Sequence, residues 1–357
     1  MMNRSWQLPA AVVGTVLCLI LAMPSYGQKP HRAGTTAANF LEMGFGCAGS
    51  AMGDAYVAVA NDLSACYWNP AGLAYMPRSE AQFTHQPWLL DIRSSFAGVG
   101  LVLPRLGTFA LSLYHTGYGE MEVTTVASQE GTGETFSATD FAFAFSYSRQ
   151  LAQWFAFGAS AKYVSSQIWH VSAYAVATDL GVQLQTHFFS PTGARSEGMS
   201  IGMSISNFGT KMRYDGMDLL QPIDILPLEQ GNYRDVRGQF RLEAWELPLL
   251  FRIGVAVHPL AHEHHRLTLA IDALHPNNNS ESVNVGAQYQ WLVPTTGTFF
   301  LRAGYKALFM EDSEYGLAFG AGATLYLMHN TALKLEYAYR GLGILGKVHA
   351  YTVGVLF

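Results

Sequence analysis

Thr331-Ala-Leu-Lys-Leu-Glu-Tyr-Ala-Tyr-Arg340 alternates strictly: Leu333, Leu335, Tyr337 and Tyr339 fall on one face of an extended chain, Lys334, Glu336, Ala338 and Arg340 on the other. Successive side chains of a β-strand point to opposite faces, so this is a strand with one apolar and one polar wall. The same period runs almost unbroken from residue 80 to the end. In 299–306, Phe299, Leu301, Ala303 and Tyr305 oppose Phe300, Arg302, Gly304 and Lys306. In 282–291, Val283, Val285, Ala287, Tyr289 and Trp291 oppose Ser282, Asn284, Gly286, Gln288 and Gln290. In 139–148, Phe141, Phe143, Phe145 and Tyr147 oppose Ala142, Ala144, Ser146 and Ser148. A soluble sandwich alternates too, with its apolar face inward and short turns at both ends. Here the polar faces are rich in Gly, Ser and Ala with scattered single charges. That suits a lumen packed closely against something.

Composition points the same way. Half the chain is hydrophobic and only 13% is charged, against roughly 25% charged in an ordinary soluble domain. No apolar span long enough for a membrane helix follows the first 27 residues. The excess apolar surface must therefore face lipid one residue in two, as a transmembrane barrel arranges it. About fourteen runs qualify: near 80–86, 94–103, 107–115, 139–149, 154–164, 175–186, 198–207, 247–258, 265–274, 281–291, 298–306, 314–327, 331–341 and 348–357. Connections at 104–106, 150–153, 259–264, 292–297 and 328–330 are short, whereas 116–138 and 208–246 are long and polar. Long loops alternating with short turns are what an outer-membrane barrel shows, although 187–197 is longer than its set predicts. Tyr147, Trp154, Tyr163, Trp291, Tyr305 and Tyr339 are placed to form interfacial girdles. Phe357 continues the alternation of Tyr351, Val353 and Val355, as a terminal aromatic read by assembly machinery would.

Residues 1–27 read as a signal peptide, with Arg4 in the charged region, Leu8 to Met23 apolar and Ser25-Tyr26-Gly27 as the cleavage site. Lipidation at Cys18 is disfavoured because Leu17 stands where a small residue is needed. The expectation is an exported protein of a Gram-negative outer membrane: 79–357 the barrel, 28–78 a small helical and looped hatch in its lumen. That segment is too short and too rich in Gly and Ala for a core of its own. Cys47 and Cys66 are either two small buried residues or, in an oxidising compartment, a disulfide; spacing does not decide. With 21 Lys and Arg against 26 acidic residues, nothing basic tracks a phosphate backbone, so nucleic acid is not an expected partner. Membrane lipid is.

Within 28–78 lies Met52-Gly-Asp-Ala-Tyr-Val-Ala-Val-Ala-Asn-Asp-Leu-Ser-Ala-Cys-Tyr-Trp-Asn-Pro-Ala-Gly-Leu-Ala74. Met52 to Ala60 is small and apolar enough for one buried helix, stopped by Asn61-Asp62. Trp68-Asn69-Pro70-Ala71-Gly72 makes a turn, because Pro fixes φ and Gly permits unusual values. The stretch resembles the N-terminal region of the PorV/PorQ family and, more distantly, of the FadL fatty-acid transporters, both outer-membrane barrels. The resemblance is specific over 40–76, with Cys47 and Cys66 where small or apolar residues are expected. It implies a barrel with no enzymatic activity that serves type IX secretion and surface display by binding exported cargo or machinery proteins. The alternative it implies is uptake of long-chain fatty acids or other hydrophobic small molecules, and a purely structural or adhesive barrel is the third reading. Gly53, Asp54, Asp62, Trp68, Asn69, Pro70 and Gly72 are then the hatch or gate motif. Alternatively, the same turn merely seats the hatch, with Asp54 and Asp62 as helix-end or lumen hydrogen-bond partners.

The charged and apolar stretch 208–246, with Leu219, Leu220, Ile223, Arg234 and Arg237, reads as a lid or a partner-docking loop, against a plain surface loop. Other motifs carry less. Gly44-Phe-Gly-Cys-Ala-Gly49 matches the dinucleotide fingerprint but follows no strand and opens no βαβ unit. His262-Glu-His-His265 could ligate metal, but reads as a solvated turn. No Ser/His/Asp set can be assigned by spacing alone. No catalytic residue, cofactor or metal is expected.

Overall fold

The computed structural model describes residues 34–226, 228, 236–310, 313–328 and 330–357. The signal-peptide expectation and residues 28–33 lie outside this range. Alternation becomes fourteen long antiparallel strands: β1 (Glu80–Pro87), β2 (Arg93–Leu103), β3 (Gly107–Glu122), β4 (Thr135–Ala152), β5 (Phe155–Ile168), β6 (Val171–Gln185), β7 (Ser200–Gly209), β8 (Leu250–Ala261), β9 (His265–Pro276), β10 (Ser282–Val293), β11 (Gly297–Leu308), β12 (Leu317–Met328), β13 (Thr331–Gly341) and β14 (Lys347–Leu356). Each pairs with its neighbours in sequence, and β14 closes on β1 from Glu80↔Leu356 to His85↔Tyr351. Closure leaves no open edge, which is the condition for putting a sheet in lipid.

The register separates the two walls cleanly. Leu301, Phe319 and Val353 are exposed on the outside, while Arg252, Asp272, Arg302, Lys334 and Glu336 are all buried on the lumen side. The alternation requires this placement, because a cation facing lipid at the midplane costs about 2–4 kcal/mol. Trp154, Trp291 and Tyr305 are outward and near strand ends; Tyr163 is outward too but sits in the middle of β5.

One end of the barrel carries only tight connections, apart from 186–199, and the other carries the long ones. The expected long loop 116–138 is shorter than the sequence suggests. Past an irregularity between Gly117 and Glu120, β3 and β4 pair again at Glu120↔Ser137 and Met121↔Phe136, leaving 123–134 as loop.

Residues 34–78 fill the lumen. They form a 3-10 turn (Asn39–Glu42), helix α1 (Cys47–Ala51), helix α2 (Ala65–Trp68) and a second 3-10 turn (Pro70–Tyr75). The single helix expected over 52–60 is absent; helix lies on either side of it. Gly53 and Asp54 have φ of +64° and +66°, which breaks a right-handed helix. The amides of Tyr56 and Val57 go to the Asp272 carboxylate instead of to helical carbonyls. The core lies between hatch and wall: Phe45 meets Tyr67 edge-on with centroids 5.4 Å apart, and Tyr114 of β3 at 5.0 Å.

Inward glycines let the hatch approach the strands closely. A Cβ on Gly158 or Gly181 would strike Pro70 or Asn69, and one on Gly304 would strike the Met52–Gly53 backbone. Gly304→Val should therefore leave a folded, heat-modifiable barrel but weaken hatch seating by about 1–3 kcal/mol, the usual cost of overpacking. Limited proteolysis within 34–78 of the folded barrel measures this; unchanged protection would refute the close seat.

Candidate functional site

The Asn69-Pro70 turn is built by its own side chains. Asn69 is extended, with φ of −162°, and its Oδ1 accepts from the Ala71 amide at 3.1 Å, while Pro70 occupies the first helical position, where a missing N–H costs nothing. The Asn69 Nδ2 donates both to the Val57 carbonyl at 2.8 Å and to the Val182 carbonyl of β6 at 3.0 Å. One amide thus ties the turn to the hatch and to the wall. Trp68 Nε1 donates to the Phe45 carbonyl at 2.9 Å, and Ser204 of β7 donates to the Trp68 carbonyl at 3.1 Å. Gly72 packs on the Ala60 carbonyl, where a side chain would not fit.

Across the lumen the hatch is held by charge. Asp54 meets Lys306 of β11 at 2.7 Å and Arg340 of β13 at 3.2 Å. Arg340 also donates to the Met43 carbonyl at 2.8 Å and to Ser50 Oγ at 2.6 Å, clasping both sides of α1. Burial raises the Asp54 carboxyl, but Arg340 and Lys306 outweigh it and hold it below the ordinary carboxylate range. Asp62 pairs with Lys334 of β13 at 2.5 Å, and Lys334 also reaches Glu80 of β1 at 3.1 Å. Burial and Lys334 oppose each other on Asp62 likewise, and Lys334 prevails. Arg302 is neutralised by Glu336 at 2.8 Å.

The hatch residues fall in three places: Gly53 and Asp54 lie against β11 and β13, Asp62 pairs with Lys334 of β13 on the turn-end side, and Trp68 to Pro70 lie against β5 to β7, with Gly72 on the Ala60 carbonyl. Lys306 and Arg340 were legible only as inward positions, and their pairing with Asp54 was not. The Lys162–Asp179 pair at 2.6 Å between β5 and β6 was missed altogether. The disulfide alternative is corrected. Cys47 and Cys66 are both free and buried; Cys47 Sγ accepts from Thr352 Oγ1 at 3.1 Å. Burial pushes both thiols up to about 12, far from a reactive thiolate.

The described residues of the 210–249 connection carry regular pairing that a plain loop would lack. A hairpin pairs Leu220–Ile223 with Val236–Gln239, its base tied to β6 through Val171↔Gly216 and to itself through Met212↔Trp245. Leu220, Ile223 and Arg237 are exposed, Leu219 is half-buried, and Arg234 lies outside the described residues. Met217, Ile225, Phe240 and Trp245 add exposed apolar surface.

A family model described as type IX secretion system protein PorV matches residues 26–226, more than half of the chain. The chain belongs to the PorV family. No curated protein matches it in sequence. Among solved structures it is similar to the toluene transporter TodX of Pseudomonas putida, with a TM-score of 0.54 at 11% identity over 87% of this chain and 97% of that one. It is similar also to the toluene transporter TbuX of Ralstonia pickettii, with a TM-score of 0.51 at 11% identity over 87% and 97%. These likenesses show the fold. This PorV-family protein is a barrel of the Gram-negative outer membrane.

Because Asp54 is held below its unfolded value near 4, its contribution to seating is complete above that pH and is lost as pH falls through the folded value. Protection of 34–78 from an acid-active protease should be flat from neutral pH to about 4 and fall below it. Asp54→Ala should remove it at neutral pH, costing about 3–5 kcal/mol by stranding two buried cations. A variant as protected as the parent would refute the clamp.

Proposed function

We propose that this barrel has no enzymatic activity and serves protein export and surface display of the type IX kind. In this reading exported cargo or machinery proteins dock on the 210–249 arm, and the hatch keeps the lumen filled. The observation that carries it is the arm itself: a hairpin with Leu220, Ile223 and Phe240 exposed beside Arg237 and Arg241. Exposed apolar residues rimmed by charge mark interaction sites. The family described as a type IX secretion system protein supports the same reading. The Trp68–Gly72 turn is the hatch's seat in this account.

A second reading, passage of fatty acids or other hydrophobic small molecules, draws on the fold shared with barrels described as toluene transporters. The ion pairs of Asp54 and Asp62 weigh against it, since a hydrophobic solute would have to pass a lumen dense in charge.

Replacing residues 215–241 by a short Gly/Ser linker should leave a folded barrel in the outer membrane, because the strand ladder closes without them. Surface display of cargo should then fail, while growth on long-chain fatty acid stays normal. Intact display with lowered uptake would replace the secretion reading by the transport reading. Pro70→Ala combined with Gly72→Val should keep the heat-modifiable band and raise conductance in reconstituted protein; loss of the folded band would make the turn an assembly element.

A further inference from the structure

At the turn end of the barrel, between the hatch and strands β10–β14, lies a cavity of about 340 Å³ that neither the clamp nor the arm uses. That volume falls at the lower end of small-molecule sites. Its lining carries three acids, Asp62, Glu80 and Glu336, and three bases, Arg78, Arg302 and Lys334. Lys334 is engaged by Asp62 and Glu80, and Arg302 by Glu336. With the charges balanced and mostly paired, the cavity offers neither a cation nor an anion a net attraction.

What stays available is directional: two neutral amides and one guanidinium. The side chains of Asn61, Arg78 and Gln290 make no hydrogen bond or ion pair to the described residues. Thr298 and Tyr326 share one weak hydroxyl contact at 3.4 Å. A planar amide offers a donor and an acceptor side by side, matching a pair of neighbouring hydroxyls. The walls include Phe300, with the Arg302 guanidinium 4.6 Å from its ring centroid, together with Tyr326 and Leu356. Tyr326 is 41% exposed, so its ring stands at the open mouth. Amides, hydroxyls and an aromatic face around a charge-balanced pocket suit a ring with one C–H face and a rim of hydroxyls.

We propose that this cavity binds a neutral saccharide of one or two rings at the turn end of the barrel, with Asn61, Arg78 and Gln290 as hydrogen-bonding groups and Tyr326 as the stacking platform. The acetylated amino sugars of a cell-wall glycan have that chemistry; the core oligosaccharide of lipopolysaccharide, which carries carboxylates and phosphates, does not and serves as the charged control.

The test is calorimetric or NMR titration of the full-length barrel in detergent with N,N′-diacetylchitobiose and, separately, with a lipopolysaccharide core oligosaccharide. Preferential binding of the charged core oligosaccharide would overturn the neutral-saccharide assignment; the chitobiose should bind with millimolar affinity. Gln290→Ala and Tyr326→Ala should each weaken it by roughly tenfold, the scale of losing one good contact, with the heat-modifiable band unchanged. Asn61→Ala, on the hatch rather than on a strand, should do the same without touching the barrel wall. Absence of chitobiose binding up to about 20 mM, a ceiling above any useful affinity, would overturn the proposal as well. So would affinity that survives all three substitutions.

Discussion

Asp54 is the interaction on which the rest of the interior depends. Lys306 and Arg340 point into a lumen where they are nearly sealed from water, and neither could stay charged there alone. The hatch brings the compensating carboxylate on a residue whose φ of +66° turns it away from α1 and towards both cations. Gly53, immediately before it, lets that backbone lie against Tyr305. Remove the carboxylate and two buried cations lose their partner. Remove the cations and the hatch loses its anchor to β11 and β13. The wall and its filling are therefore one electrostatic unit, although their backbone hydrogen bonds are separate.

Lumen polarity follows from the same constraint. A barrel in lipid spends one residue in two on the outside, so the inside must carry whatever polar groups the sequence has. Asp272 shows how tightly these are used: its carboxylate accepts the amides of both Tyr56 and Val57 and so takes the place of a helix in the middle of the hatch. Asn69 does the converse, giving one amide nitrogen to the hatch and the wall together. Polar atoms that would be orphaned in either part alone are satisfied between them.

The strands were legible because alternation is a local signal, repeated for eight or more residues each time. The strand register followed from it: Lys334, Glu336, Arg302 and Arg252 face inward because the other register would put them in lipid. The interior of the hatch was not legible. Met52 to Ala60 looks helical by composition, and only partners over 200 residues away, Asp272 and Tyr305, divert its backbone. Cys47 and Cys66 gave no signal either way; their environments are set by Thr352 and by the inward faces of distant strands. What a period of two cannot encode is which inward residue meets which.

Shared architecture does not carry shared transport. At 11% identity, TodX and this barrel share a fold. For a hydrophobic solute the relevant quantity is the polarity of its path, and here Asp54, Asp62, Lys306, Lys334, Arg302 and Arg340 stand in the lumen. For a protein partner the relevant quantity is exposed surface away from the lipid-facing strands, and on the 210–249 arm Met217, Leu220, Ile223, Phe240 and Trp245 supply some of it.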